Sequence, residues 1–358
     1  MNKKVVVGMS GGVDSAVSAY LLKQNGYEVI GLFMRNWKEE VNDKCTAEED
    51  YRDVRRVSDI LGIPYYSIDF SSEYMDRVFK FFVSEYKAGR TPNPDVLCNS
   101  EIKFESFRKY ALNSGADYIA TGHYADVENR DGLNYLMRAV DENKDQTYFL
   151  NQLSNEQLNN VIFPVGKLCK NEVREIARAA NIPNAEKKDS TGICFIGERK
   201  FREFLSNYIP MKKGVIKTLS GKIVGEHYGV YYYTIGQRKG LGIGGVNDGN
   251  GDKWFVIRKD VINNILYVNE GECEELFSKE LILDTFNFIP KVIEDNNIRC
   301  KVRIRHREPL HDANLITDGR EYRLIFDKSE RAATEGQYAV AYIDKYCIGG
   351  GKIIKVLP

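Results

Sequence analysis

Apolar positions along the first two hundred residues switch between two periods. Lys4–Gly8 is a short unbroken apolar run, the pattern of a strand covered on both faces in a parallel sheet. Just beyond it Val13, Ala16, Val17, Tyr20 and Leu21 recur at the three- and four-residue spacing of a helix stripe, and Gly26 supplies a cap behind them. A second strand is predicted at Glu28–Phe33. Thr46-Ala47-Glu48-Glu49 has the form of a capping box and opens a helix carrying Val54, Val57 and Leu61, closed by Gly62 and Pro64. Further strands are predicted at Tyr65–Phe70 and Asp117–Thr121. Helices are predicted at 73–86, at Phe104–Ser114 and on the stripe Val173, Ile176, Ala177 and Ala180. Alternation at this spacing predicts an α/β domain, a parallel sheet with helices on both faces.

After about residue 210 the pattern changes. Short runs rich in Val, Ile, Tyr and Thr are separated by turn sequences such as Ser220-Gly221 and Asn247-Asp248-Gly249-Asn250-Gly251. From about 280 onward come roughly six short strands, among them Lys301–Arg305, Tyr322–Phe326 and Ala339–Ile343. The expected architecture is an α/β domain over 1–205, a small central β-rich domain over 206–275 and a C-terminal β-barrel over 276–358. A chain of 358 residues is too long for one ordinary core, which fits that division.

Composition narrows the function classes. No apolar run reaches eighteen residues, so no membrane span is expected, and the N-terminus lacks a signal-peptide pattern, so the cytoplasm is expected. Seven cysteines at scattered spacings do not form a secreted disulfide framework. Lys+Arg and Asp+Glu are equal at 51 each, so any RNA contact must come from local basic patches. Arg303, Arg305 and Arg307, alternating on one predicted strand with His306 beside them, form one such stripe; Gln237-Arg238-Lys239 in a Gly-rich loop forms another.

The strongest local motif is Ser10-Gly11-Gly12-Val13-Asp14-Ser15, between the first strand and the first helix. Two glycines let the backbone turn tightly and aim its N–H groups at an anion, and the helix N-terminus adds positive partial charge. The serines can donate to phosphate oxygens. Asp14 fits either as a Mg²⁺ ligand or as a helix cap. No Gly-Lys-Ser/Thr follows, so this is not a Walker A loop. It resembles the pyrophosphate-binding loop of the ATP pyrophosphatase superfamily.

Two cysteines sit in chemically suggestive settings. Cys98 follows the stiff segment Arg90-Thr91-Pro92-Asn93-Pro94-Asp95, near a helix start that favours a thiolate, with Asp95 three residues upstream as a proton acceptor or donor. Cys194 lies between Gly192 and Gly197, after Lys187 and Lys188, whose charge also favours a thiolate. Neither belongs to a Cys-x-x-Cys pair and only four histidines exist, so no metal site is expected. Cys45, Cys169, Cys273, Cys300 and Cys347 are read as structural.

Taken together, Gly8-Met9-Ser10-Gly11-Gly12-Val13-Asp14-Ser15, Asn93-Pro94-Asp95 with Cys98-Asn99, Thr121-Gly122-His123-Tyr124, Lys144-Asp145-Gln146, Gly192-Ile193-Cys194-Phe195-Ile196-Gly197 and Thr234 to Gly242 resemble the tRNA-specific 2-thiouridylase family, in the same order and over nearly the whole chain. Arg305-His306-Arg307-Glu308 departs from it, where the family often reads Arg-Tyr-Arg-Gln. The resemblance implies an adenine nucleotide alpha hydrolase-like fold and ATP, with Mg²⁺, bound by residues 8–15, Met34 and Gly122. It implies that Cys194 accepts persulfide sulfur from a relay protein or cysteine desulfurase. Cys98 would be the partner thiol and Asp95 the acid/base group. Asn93, Pro94 and Asp95 would meet the target base, and His123, Lys144, Asp145, Gln146, Arg305, His306 and Gln337 would contact tRNA. An iron–sulfur cluster on Asp95, Cys98 and Cys194 is a further chemistry these side chains allow. An ATP-using ligase acting on a small metabolite, or a noncatalytic RNA-binding protein, are the competing functions.

Overall fold

The computed structural model describes residues 2–37, 46–188, 201–243 and 252–358. Strands β1 (Lys4–Met9), β2 (Glu28–Arg35), β3 (Tyr65–Asp69), β4 (Tyr118–Thr121) and β7 (Val161–Ile162) form a sheet in the order β3-β2-β1-β4-β7, every pairing parallel. Alternate side chains of β1 enter different cores. Val5, Val7 and Met9 pack with helices α1 (Val13–Gln24), α2 (Thr46–Leu61) and Lys170–Ala179. Val6 packs on the opposite face with Phe82, Ile102, Phe104 and Phe107. Helices therefore cover both faces, as the unbroken apolar run predicts. On α1 the buried set includes Ala19 and Leu22, while Tyr20 and Leu21 are only half-buried. The side chains of the expected capping box at Thr46 and Ala47 lie outside the described residues.

The helix predicted at Phe104 begins ten residues earlier. Pro94–Leu97, a π-helical stretch Cys98–Phe107 and Arg108–Asn113 form one continuous helix. Asn93 caps it by accepting from the Asp95 N–H at 3.2 Å, and Pro94 takes the first helical position, where its missing N–H costs nothing. Cys98 thus stands on the helix, 1% exposed, and not in a loop.

A hairpin of β5 (Ala125–Arg130) and β6 (Leu133–Arg138) follows β4, turning on Asp131 and Gly132, both at positive φ. It belongs spatially to the C-terminal sheet. There, β12 (Phe277–Leu283), β14 (Asn297–Arg303), β15 (His311–Thr317), β16 (Tyr322–Arg331), β17 (Tyr338–Ile343) and β18 (Tyr346–Leu357) close into a six-stranded barrel, because β12 pairs with both β16 and β18. β6 adds to β18 at Tyr346 and Met137. The central part is a four-stranded sheet, order β10 (Trp254–Asp260), β11 (Ile265–Glu270), β8 (Gly214–Lys217), β9 (Ile223–His227). The β8–β9 connection turns at Gly221, φ +89, as Ser220-Gly221 predicts. The second expected turn, Asn247–Gly251, lies outside the described residues.

The expected Arg303–Arg305–Arg307 stripe does not form, because β14 ends at Arg303 and the chain turns through Arg307 at φ +68. Arg303 goes inward and meets Asp145 at 3.2 Å, with side-chain exposures of 5% and 0%. Asp145 also faces Arg138 and accepts from the Thr147 hydroxyl at 2.8 Å. Through Arg138 on β6 and Arg303 on β14, Asp145 ties the hairpin to the barrel. Removing one partner of a buried ion pair strands the other, so Asp145→Ala is expected to destabilise the fold by about 3–5 kcal/mol. A urea midpoint equal to that of the wild type would show that the pair does not hold these units together.

Candidate active site

The order of strands reverses between β1 and β4, and in open parallel sheets ligands bind outside the carboxyl ends of the strands at such a switch point. Both expected nucleotide segments leave from there: residues 10–15 follow β1, and Gly122-His123 follow β4. Gly12 is the N-cap of α1 and no side chain among the described residues caps it, which leaves the first N–H groups of the helix facing the crevice. Ser15 Oγ accepts from the Ser10 N–H at 3.2 Å and donates to the Gly12 carbonyl at 3.1 Å, so the serines also stitch the loop itself.

Glycine is required at this turn for steric reasons. Gly11 has φ +75, and a Cβ there would lie 2.8 Å from the Asp50 Cα in α2. At Gly122 a Cβ would lie 2.7 Å from the Ser15 nitrogen. At Gly8 it would press on Met34 and Phe107. Met9 and Val13 point into the core, so their part in the crevice is backbone only.

Asp14 is not the helix cap; Gly12 holds that position. Its carboxylate accepts from the Tyr124 hydroxyl at 2.9 Å and meets Lys170 Nζ at 2.7 and 2.9 Å. Lys170 does not stand out in sequence, reading as a surface lysine at a helix start, and Tyr124 is marked only as the last residue of the Thr121-Gly122-His123-Tyr124 motif. Lys187, expected to favour a thiolate at Cys194, places Nζ on Asp50 at 2.8 Å, Asp53 at 2.7 Å and the Gly11 carbonyl at 3.2 Å. These carboxylates raise its pKa against the burial that opposes them. Asn184 also donates to the Gly11 carbonyl, at 2.9 Å. The chain entering the 189–200 segment is therefore pinned to the phosphate loop. Cys194 itself, like Cys45, lies outside the described residues.

The helix bearing Cys98 reaches the same edge of the sheet. Lys103, five residues beyond Cys98, brings Nζ within 3.5 Å of His123 Nε2, just past β4. His123 is buried between Phe104 and Phe163, and its Nδ1 lies 2.8 Å from the Thr121 hydroxyl. Burial, assisted by the Lys103 charge, holds its pKa well below the ordinary value, so the ring is neutral.

The segment leading into the Cys98 helix touches both the central and the C-terminal parts of the chain. The Thr91 N–H donates to the Glu335 carbonyl at 2.9 Å, and Gln337 Nε2 donates to the Thr91 carbonyl at 2.7 Å. The Thr91 and Thr234 hydroxyls are 3.3 Å apart. Arg305 donates to the carbonyls of Ile235 at 3.1 Å and Ala332 at 2.7 Å, so it braces the junction of the central and C-terminal sheets. Asn99 donates to the Phe149 carbonyl at 3.1 Å, and the Phe149 ring lies 4.5 Å from that of His306. Burial and the neighbouring Arg307, Arg303 and Lys144 lower the His306 pKa to about 4. Gln146 is bonded both ways to the Tyr124 backbone, at 2.9 Å each. Of the segments expected to meet RNA, Gln337 touches Thr91 just ahead of 93–95, His306 joins the Cys98 helix through Phe149 and Asn99, and 144–146 is fastened to Tyr124 and, through Asp145, to Arg303. Asp145 and Arg305 direct their side chains into the protein, whereas Arg238, Lys239 and Arg307 are exposed.

The remaining described cysteines differ in setting. Cys300 and Cys347 are buried, and burial pushes their thiols up to about 11 and about 12. Cys169 is exposed. Among the described residues no group of three or more His, Cys, Asp or Glu could hold a metal ion. No described helix is long and apolar enough to cross a membrane.

Three family models tile the chain: "tRNA methyl transferase HUP domain" over 3–198, "tRNA methyl transferase PRC-barrel domain" over 202–270 and "Aminomethyltransferase beta-barrel domain" over 278–353. The tRNA-specific 2-thiouridylase MnmA of Alkaliphilus oremlandii is 54% identical, across 99% of this chain and 98% of its own. The protein of that name from Streptococcus uberis is 53% identical, across 98% and 95%. Among solved structures, the U34-tRNA thiolase NcsA of Methanococcus maripaludis with its 4Fe-4S cluster covers 57% of this chain and 64% of its own, at 18% identity and a TM-score of 0.36. With more than half its residues identical to those relatives from end to end, the chain belongs to the tRNA-specific 2-thiouridylase family.

Proposed function

We infer that this protein uses ATP to activate the wobble uridine of tRNA and replaces its 2-oxygen by sulfur carried as a persulfide on Cys194. The products are 2-thiouridine, AMP and pyrophosphate. The observation that carries this reading is that the helix bearing Asp95 and Cys98 reaches, through Lys103 and His123, the same edge of the parallel sheet from which the uncapped start of α1 faces the crevice.

The uridine C2 carbonyl is a poor electrophile with a poor leaving group. Attack of O2 on the α-phosphorus expels pyrophosphate and converts that oxygen into part of AMP, which leaves readily. The persulfide's terminal sulfur then attacks C2. Cys98 attacks the inner sulfur of Cys194, either as the terminal sulfur passes to the base or beforehand to free hydrosulfide. In both cases a Cys98–Cys194 disulfide remains, which a reductant reopens. Asp95, on the first turn of the same helix, moves the proton. The backbone N–H groups at Gly12 to Ser15 hold the phosphates. Asp14 is engaged by Lys170 and Tyr124, so the loop offers no ready carboxylate for Mg²⁺, which in this reading travels with the triphosphate.

Entry of a wobble base requires unstacking it, at about a few kcal/mol, offset by contacts along the anticodon arm. Arg238, Lys239 and Arg307 are exposed cations near the junction. The sulfur comes from a persulfide-donating relay protein or a cysteine desulfurase, in the cytoplasm. The units acting together are those expected at 1–205, 206–275 and 276–358.

The test is mass spectrometry of tRNA nucleosides from a strain lacking the protein, with pyrophosphate release measured in vitro. Loss of 2-thiouridine, and release that requires unmodified tRNA, are expected. Unchanged 2-thiouridine, or release without any tRNA, would favour a ligase acting on a small metabolite.

A further inference from the structure

Asp14 presents an electrostatic problem: it places a carboxylate on the first turn of the helix whose N-terminus is to receive polyphosphate. The surrounding structure answers it. Lys170 is 7% exposed and grips both carboxylate oxygens, at 2.7 and 2.9 Å. Its own position is fixed at the start of its helix. The Lys170 N–H donates to Asp141 Oδ2 at 2.9 Å, and the preceding Cys169 N–H donates to Glu172 Oε2 at 2.6 Å. Tyr124, 2% exposed, donates to Asp14 Oδ1 from below, and its ring lies 5.8 Å from Lys170 Nζ. Gln146 fastens the Tyr124 backbone in turn.

We propose that Lys170 is a positioning residue of the nucleotide loop: its ammonium neutralises Asp14 and holds it aside, so that the loop presents only N–H groups and hydroxyls to the ATP phosphates. This rests on the ATP-using reading above and assigns to Lys170 and Asp14 a single shared role. Asp14 then acts as the fixed anchor of the loop, oriented by a buried cation, and not as a metal ligand. Without Lys170 the carboxylate faces the polyphosphate uncompensated, and repulsion in a partly buried crevice is strong.

The test is a double-mutant cycle on the full-length protein, with ATP and unmodified tRNA varied separately. Lys170→Met is expected to raise KM for ATP about 10- to 100-fold, with KM for tRNA unchanged. Asp14→Asn added to Lys170→Met is expected to recover most of that loss, because the stranded charge is gone. Thermal melts of each variant identify loss of folding, and the milder Lys170→Gln keeps the ATP measurement possible if methionine is not tolerated. An unchanged ATP KM in Lys170→Met or Lys170→Gln, with only kcat or the melting temperature lowered, overturns the proposal in favour of a purely structural lysine. A raised KM that Asp14→Asn does not relieve overturns it in favour of direct contact between lysine and phosphate. Failure of the wild type to show any saturation by ATP sinks the underlying ATP reading instead.

Discussion

Cys98→Ser is expected to abolish sulfur transfer to tRNA, by about three orders of magnitude or more, while leaving activation of the uridine largely intact. The hydroxyl is nearly the same size as the thiol but does not attack sulfur at neutral pH. Because Cys98 is 1% exposed and belongs to the same apolar cluster as Phe104 and Phe107, exchanging its thiol for a hydroxyl costs at most about 1–3 kcal/mol. That cost is measurable in a melt and far too small to account for a thousandfold loss. Cys194→Ser should match it, since the two thiols act on one sulfur atom and removing either breaks the same step. AMP and pyrophosphate formed in a single turnover, with 2-thiouridine scored beside them, separates activation from transfer. If both variants thiolate at the wild-type rate, the two-cysteine chemistry is wrong.

What was legible in the sequence was local. The Lys4–Gly8 run and the Ser10–Ser15 loop announce a strand, a turn and a helix within twenty residues, and the backbone obeys them. Two features required knowing how the chain continues. Pro92 and Pro94 read as stiffening a loop, yet Pro94 at the first helical position begins the helix, moving Cys98 from loop to helix. Arg303, Arg305 and Arg307 have strand spacing, yet the strand stops at the first of them. The rest was non-local. Lys170 meets Asp14 from 156 residues away, and β6 meets β18 from over two hundred. No periodicity carries such pairings, because each side chain alone looks like an ordinary surface lysine or an ordinary strand. The hairpin turning on Asp131 and Gly132 was not read from the sequence at all, and nothing nearby shows that its partner lies in the barrel.

Gly122→Ala tests whether the loop geometry, beyond its hydrogen-bonding groups, sets the rate. The added methyl would stand 2.7 Å from the Ser15 nitrogen and 2.8 Å from the Asp14 carbonyl carbon, both backbone atoms of α1. Neither can yield as a flexible side chain would, so either β4 retreats from β1 or the first turn of α1 shifts. β1 and β4 pair directly at Gly8 and Thr121, which resists the first route. The helix N-terminus moves instead, carrying with it the N–H groups aimed at the phosphates. A displacement of about 1 Å at a group that orients the reacting phosphate is expected to cost about a hundredfold in kcat/KM for ATP. Gly26→Ala is the comparison: unlike Gly122 it sits at positive φ, +82, and a Cβ there meets nothing within 4 Å. It should lower stability modestly through backbone strain and leave ATP use near normal. Equal losses of ATP use in the two variants would mean that the fit of Gly122 against α1 is not what sets the position of the loop.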